Sequence, residues 1–366
     1  MKALIFIVPC LLFSLLWGCS KDELITEIET KSTYFPPVNS NEWNTISPES
    51  LQWNLSALND LENFVDDADT RALLIIKNGK IAYEHYNGKG LLGGNFSSIS
   101  SWYWASAGKT LTSFMVGKAQ EEDLLNIDDR SSDYLGEGWT SLSKTREDLI
   151  TIRNQLTMTS GLSDLVNNSD CTDPECLEYL ADPNTRWAYH NAPYTLLDGV
   201  IEGATNLDFD VYFSSRLKDK IGMDGLWSYL DFNHVYFSTA RSMARFGLLV
   251  LNQGKWGEEE IIEKDGYFEE MTNTSQDINL SYGYLWWLNG KSSFKTPIIQ
   301  NTFSGSLTPN APNDMYSALG KNGQFLCIVP SQDLILIRMG NNPDQSLVPI
   351  NFLNQLWEKV NAVIAP

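Results

Sequence analysis

Apolar and polar positions along the chain fall into two periods. Behind Pro48-Glu49, Leu51, Leu55, Leu58, Leu61 and Phe64 recur at helical spacing and predict a helix. Two strand-like runs follow, Ala72–Lys77 and Lys80–Tyr86. They flank Asn78-Gly79, the pair that supplies the positive φ of a type I′ hairpin turn. From about residue 105 to 275 the pattern is helical and rich in loops. One helix there is predicted at Thr239–Asn252, behind Ser238 and stopped by Gly254, with Met243, Phe246, Leu249 and Val250 on one side. Strand patterns return at Tyr282–Trp287, and at Gln324–Val329 and Leu334–Arg338 on either side of Pro330-Ser331-Gln332-Asp333. A last helix, Ile350–Val360, presents Leu353, Leu356, Trp357 and Val360. Strands and flanking helices thus come from both ends of the chain, and a helical insert of about residues 115–275 comes from the middle. The expected fold is α/β in the α+β sense: an antiparallel sheet built from N- and C-terminal segments, flanked by helices, with a central all-helical insert.

Composition narrows the function. The 366 residues contain 26 Lys and Arg against 46 Asp and Glu, a net charge of −20. A surface this acidic repels phosphate backbones, so no nucleic-acid partner is expected. Three histidines, His85, His190 and His234, with no HExxH and no CxxC, leave no His- or Cys-built metal centre to expect, and no cofactor is expected.

The first residues read as a processing signal. Lys2 precedes an apolar stretch from Ala3 to Trp17, short for a bilayer span and placed as a signal-peptide core is. It ends in Leu16-Trp17-Gly18-Cys19, which resembles a bacterial lipobox, and Ser20-Lys21-Asp22-Glu23 resembles the acidic tether of some exported lipoproteins. Residues 1–19 are therefore expected to be a lipoprotein signal with Cys19 acylated, against the plainer alternative of a secretory signal with an incidental cysteine. Residues 20–45 are expected to be a flexible tether and 46–366 the folded domain. The resulting expectation is an exported lipoprotein anchored to a membrane through Cys19, at the outer membrane on its periplasmic face or at the cell surface. In such a compartment Cys171 and Cys176, five apart in Cys-Thr-Asp-Pro-Glu-Cys, are a candidate disulfide, and Cys327 in an apolar run is a packing residue.

Three motifs carry candidate chemistry. Ser106-Ala107-Gly108-Lys109 is an SxxK at the mouth of an apolar helix. Ser141/Lys144, Ser215/Lys218 and Ser292/Lys295 share the spacing but lie in polar segments. One helical turn puts Ser106 and Lys109 on one face, where helix N–H groups favour a developing negative charge. On local context alone, an ordinary helix N-cap remains the alternative. Tyr189-His190-Asn191 is the single YxN of the chain. A phenol can take and return a serine proton, and an amide two residues on can hold a lysine or a carbonyl; a buried tyrosine beside a turn is the alternative. His190 points away from its neighbours in extended backbone and reads as structural. Lys321-Asn322-Gly323 opens the Gln324–Val329 strand. No GxSxG occurs.

In this order the motifs resemble the class C-type branch of the serine β-lactamase and penicillin-binding-protein-like superfamily, which includes esterases and nylon-oligomer hydrolases. The likeness runs from about residue 70 to 340. Leu156-Thr157-Met158-Thr159-Ser160-Gly161-Leu162 is similar to the family's His-Thr-Ser-Gly-Leu segment, with Met158 for its His. Ala240–Gly247 is similar to its Ala-Arg-Asp-Met-Ala-Arg-Phe-Gly helix, with Ser242 for its Asp. Ser317–Gln324 is similar to its Gly-x-x-Gly-Gln strand. The resemblance implies Ser106 as nucleophile, Lys109 as the cation tuning it and Tyr189 as general base and acid. It implies Asn191, Lys321, Asn322 and Gly323 as substrate-binding residues, with the backbone N–H groups of Ser106 and Gln324 as oxyanion donors. Asn322 stands where true β-lactamases of this fold carry a threonine. The expected partner is accordingly a small ester, amide or peptide. A DD-peptidase or β-lactamase is the second reading, and a catalytically silent surface binding protein the third.

Overall fold

The computed structural model describes residues 33–344 and 346–364. The leader, Cys19 and the tether up to residue 32 lie outside the described residues. Among these no helix is long and apolar enough to cross a membrane.

Gln52 adopts φ 59, which breaks the helix expected from Pro48. Helix α1 runs instead over Leu55–Asp67, capped by Asn54, whose side chain accepts from the N–H groups of Ser56 and Ala57. The hairpin forms as predicted. Strands β1 (Thr70–Lys77) and β2 (Lys80–Tyr86) are joined by Asn78 at φ 51 and Gly79 at φ 77. A two-residue strand β3 (Trp102–Tyr103) leads through a 3₁₀ turn, Ala105–Gly108, into α2 (Lys109–Glu121). The insert contributes α3 (Asn191–Thr195) and α4 (Leu197–Thr205), but it is not all-helical as expected: it also carries the ribbon β4 (Leu226–Leu230) and β5 (Asn233–Ser238). Helix α5 covers Ala240–Leu251, capped by the Thr239 hydroxyl, which accepts from Ser242 N.

At Tyr282–Trp287 the expected strand shrinks to β6 (Trp287–Leu288). Leu285 at φ 63 turns the chain back on itself, and alternation of bulky rings there reflects burial on both sides of a turn. Then come β7 (Tyr316–Gly320), β8 (Gln324–Val329), β9 (Leu334–Gly340) and α6 (Ile350–Ile364). The main sheet has six strands in the order β2-β1-β9-β8-β7-β6, every pair antiparallel. Successive side chains of β8 serve opposite faces. Phe325 stacks at 6.4 Å on Phe352 of α6, while Leu326 meets α5 at Gly247, where an added Cβ would come within 2.7 Å of Leu326 Cδ1. Helices on both faces explain why β8 and β9 are buried throughout, Gln324 and Arg338 included.

The tether expectation is corrected from Thr33 onward. Trp43 is buried and donates from Nε1 to Gly79 O at 2.7 Å, and Arg245 Nη2 donates to the carbonyls of Pro37 at 2.9 Å and Ser40 at 2.8 Å. Irregular backbone carrying Tyr34, Phe35, Val38 and Trp43 shows no periodicity, yet it packs on the core. Cys327 is buried, and Cys171 is bonded to Cys176.

Candidate active site

The serine turn is built from β5. Trp104 is wholly buried, its backbone N–H donates to Tyr236 O at 2.8 Å, and its indole Nε1 donates to Ser238 Oγ at 2.7 Å. Ala105 then takes φ 47, a left-handed backbone that costs a non-glycine residue about 1–2 kcal/mol. That kink presents Ser106 half-buried at the head of α2, with Lys109 one turn further in.

Lys109 is 3 % exposed. Its Nζ lies 3.7 Å from the ring centre of Tyr194 and 5.5 Å from that of Tyr189. Burial lowers its pKa to about 7, opposed by the carboxylates of Asp170 and Asp198. The amine therefore titrates close to neutral pH. Tyr189 sits in an aromatic box: it stacks on Trp287 at 5.6 Å and meets Trp187 and Tyr282 edge-on or tilted at 6.3 Å. Burial pushes its phenol above the ordinary tyrosine range, and a side-chain hydrogen bond with Ser106 draws it part of the way back. Desolvation outweighs that bond, and the group stays protonated at neutral pH.

Asn191 opens α3. Its Nδ2 donates to Asp170 Oδ1 at 2.7 Å, and its Oδ1 is buried without a partner among the described residues. His190 caps the same helix, buried, with burial pushing it down to about 4, so it is neutral. Behind Tyr194, Asp198 Oδ2 and His234 Nδ1 lie 2.8 Å apart; desolvation first of all raises Asp198 to about 6.

The third motif is a turn rather than the start of a strand. Lys321 is exposed, Asn322 takes φ 64, and Gly323 takes φ 76. Asn322 Nδ2 donates to the Tyr103 hydroxyl at 2.8 Å, and the carbonyls of Asn322 and Gly323 accept from Arg338 Nη1 at 2.8 and 2.9 Å. The strand edge against the serine is the end of β7. A Cβ on Gly320 would meet Trp104 O at 2.5 Å, Ala107 N at 3.0 Å and Ser106 N at 3.2 Å. Gln324 is instead the cross-strand partner of Gly320, and its carboxamide is engaged by Gly340, donating to its O at 2.7 Å and accepting from its N at 3.0 Å.

Ser106, Lys109 and Tyr189 are thus brought together, and Asn191 is tied to Asp170, a carboxylate that acts on Lys109. Sequence reasoning missed Asp170, Asp198, Tyr194 and Tyr282. None belongs to a motif with its own spacing; Tyr194, three residues past Asn191 on the same helix, was the one within reach. Two other features stand apart. A cavity of about 930 Å³ is lined by Leu91, Leu92, Ile99, Leu226, Phe237 and Arg241 among others, and no member of the serine cluster lines it. Glu62, Asp66 and His85 bring ligand-type atoms within 4.8 Å of one another. However, Asp66 meets the ring's Nε2 at 2.7 Å while Glu62 faces Nδ1 at 3.8 Å, so the carboxylates bracket the imidazole from opposite edges.

A lysine buried behind a serine, a phenol on that serine and a glycine strand edge beside its N–H lie together on this mixed α/β fold. The chain belongs to the β-lactamase family, whose model matches residues 61–352. It is similar in structure to a penicillin-binding protein homolog from Caulobacter crescentus (TM-score 0.66, 12 % identity, covering 88 % of this chain and 99 % of that one). A penicillin-binding protein from Bacillus halodurans superposes at TM-score 0.59, with 14 % identity over 82 % of this chain and 99 % of that one. A β-lactamase from Mycobacterium bovis does so at 0.57, with 17 % identity over 84 % and 98 %. At these identities the likeness is one of fold. Among curated proteins none matches.

Proposed function

We propose that the protein is a serine hydrolase that cleaves a small ester or amide through an acyl-enzyme on Ser106. The observation that carries this reading is Lys109, an amine buried beside the serine turn and poised near pH 7. Burying an amine without a hydrogen-bonded counter-ion costs free energy, and groups perturbed in this way cluster at functional sites. Tyr189, hydrogen-bonded to Ser106, and Lys109 beyond it form the pair that carries the proton. The serine proton passes to that pair as Oγ attacks the carbonyl, the C–O or C–N bond breaks as the leaving group takes the proton back, and water repeats the sequence to release the acid. Ser106 N–H is one oxyanion donor. The second is assigned to the peptide following Gly320, in place of Gln324 N–H, because Gly320 is the strand residue that lies against Ser106.

Asn322 is engaged by Tyr103 and Lys321 is exposed, which favours ester or amide turnover over β-lactam binding at this turn. The disulfide supports an exported protein, and with the lipobox it supports anchoring through Cys19. A fluorophosphonate probe should label the protein, and Ser106→Ala should abolish both labelling and p-nitrophenyl ester hydrolysis. Turnover unchanged in that variant refutes the assignment. Nitrocefin hydrolysis would favour the β-lactamase reading instead.

A further inference from the structure

Asp170 stands immediately before Cys171, and no motif includes it. Its two carboxylate oxygens serve two different elements: Oδ1 accepts from Asn191 Nδ2 at the head of α3 at 2.7 Å, and Oδ2 accepts from Asn233 Nδ2 at the start of β5 at 3.0 Å. The segment around it is fixed as well. Asp170 N donates to Asn168 Oδ1 at 3.1 Å, Ala192 N donates to Ser169 O at 3.3 Å, and the Cys171–Cys176 disulfide closes the loop on the other side.

We propose that Asp170 is a positioning residue of this site, holding the Asn191 carboxamide in one orientation and placing a fixed negative charge near Lys109, with the disulfide keeping it there. The proposal rests on the Ser106 hydrolase reading. A carboxylate accepts only, so Asn191 must turn its Nδ2 to Asp170. That leaves Asn191 Oδ1, buried and without a partner among the described residues, as the atom offered to the lysine or to a substrate N–H. Neutralising Asp170 would let the amide rotate and would remove the first of the two carboxylates that favour protonated Lys109. The other groups facing Lys109 are Ser106, Tyr189 and Tyr194, which are neutral, and Asp198, which is tied to His234; facing Asp170 is also His190, which is neutral.

The test follows the Lys109 titration by NMR of lysine labelled with ¹³C at Cε, alongside ester turnover against pH. In Asp170→Asn the Lys109 midpoint should fall below that of the wild type, and kcat should drop on the order of 10- to 100-fold, as expected for a displaced catalytic group. Asp170→Glu, which keeps the charge, should recover most of the midpoint. The double variant Cys171→Ser/Cys176→Ser, which leaves Asp170 in place but frees its loop, should move the midpoint the same way by less. A Lys109 midpoint in Asp170→Asn equal to the wild type overturns the charge role, and a wild-type midpoint in the double cysteine variant overturns the role of the disulfide. Should the wild-type protein neither hydrolyse esters nor take the fluorophosphonate, the hydrolase reading falls, and the NMR titration still decides Asp170.

Discussion

Replacing Lys109 with methionine should destroy activity and stabilise the fold. Met fills a similar volume and keeps the apolar stem against Tyr189 and Tyr194, but removes the amine. In the unfolded chain the lysine titrates near 10.4; in the fold burial brings it to about 7, a difference of about 5 kcal/mol. The sign follows from proton binding. Between pH 7 and 10.4 the unfolded chain holds a proton that the folded one lacks, so wild-type stability rises with pH across that window. The destabilisation is therefore full below pH 7 and is lost as pH passes the unfolded value. Lys109→Met lacks it throughout. The expected gain at pH 6 is about 3 kcal/mol, less than the full 5 because Asp170 and Asp198 lose their cation. At pH 10 it should shrink below about 1 kcal/mol. Urea denaturation of both proteins at pH 6 and pH 10 measures this, with unchanged slope confirming that the same surface is exposed. A variant no more stable than wild type at pH 6, or a gain that does not shrink at pH 10, refutes the view that Lys109 is held as a desolvated, activated amine.

Two further outcomes test other parts of the site. Gly320→Ala would set a methyl 2.5 Å from Trp104 O, a backbone atom that cannot swing aside, so the strand edge must retreat from Ser106. Stability should fall by about 1–3 kcal/mol, and turnover should fall by more, on the order of 10²-fold; steady-state kinetics beside a urea melt separates the two, and wild-type kcat would argue against an oxyanion donor there. Opening the disulfide with Cys171→Ser/Cys176→Ser should lower stability by about 2 kcal/mol, the entropy of closing so short a loop, read as a fall in the denaturation midpoint.

Local physics was legible in the linear chain wherever neighbours in sequence are neighbours in space. The Asn78-Gly79 hairpin, the β8–β9 hairpin, α5 behind a hydroxyl cap and α6 with its buried Leu353, Leu356, Trp357 and Val360 all follow from backbone preference and short-range periodicity. Ser106 and Lys109 stand one turn apart where the 3₁₀ turn Ala105–Gly108 runs into α2, a spacing the sequence already carries. Where tertiary packing overrides period, the pattern misled. Tyr282–Trp286 alternates like a strand but turns around Leu285, and residues 33–44 show no period yet are held by Arg245.

The chain by itself determined which side chains could do chemistry: a serine, an amine, a phenol and an amide in short motifs, on a sheet whose strands come from both ends. Only the tertiary structure decided what surrounds them. Asp170, Asp198, the aromatic box about Tyr189 and the Gly320 edge against Ser106 arrive from distant segments, and no local preference encodes their meeting. The physical reason is that a proton affinity is set by burial and by charges in space. Those are properties of the packed protein and of no stretch of its chain.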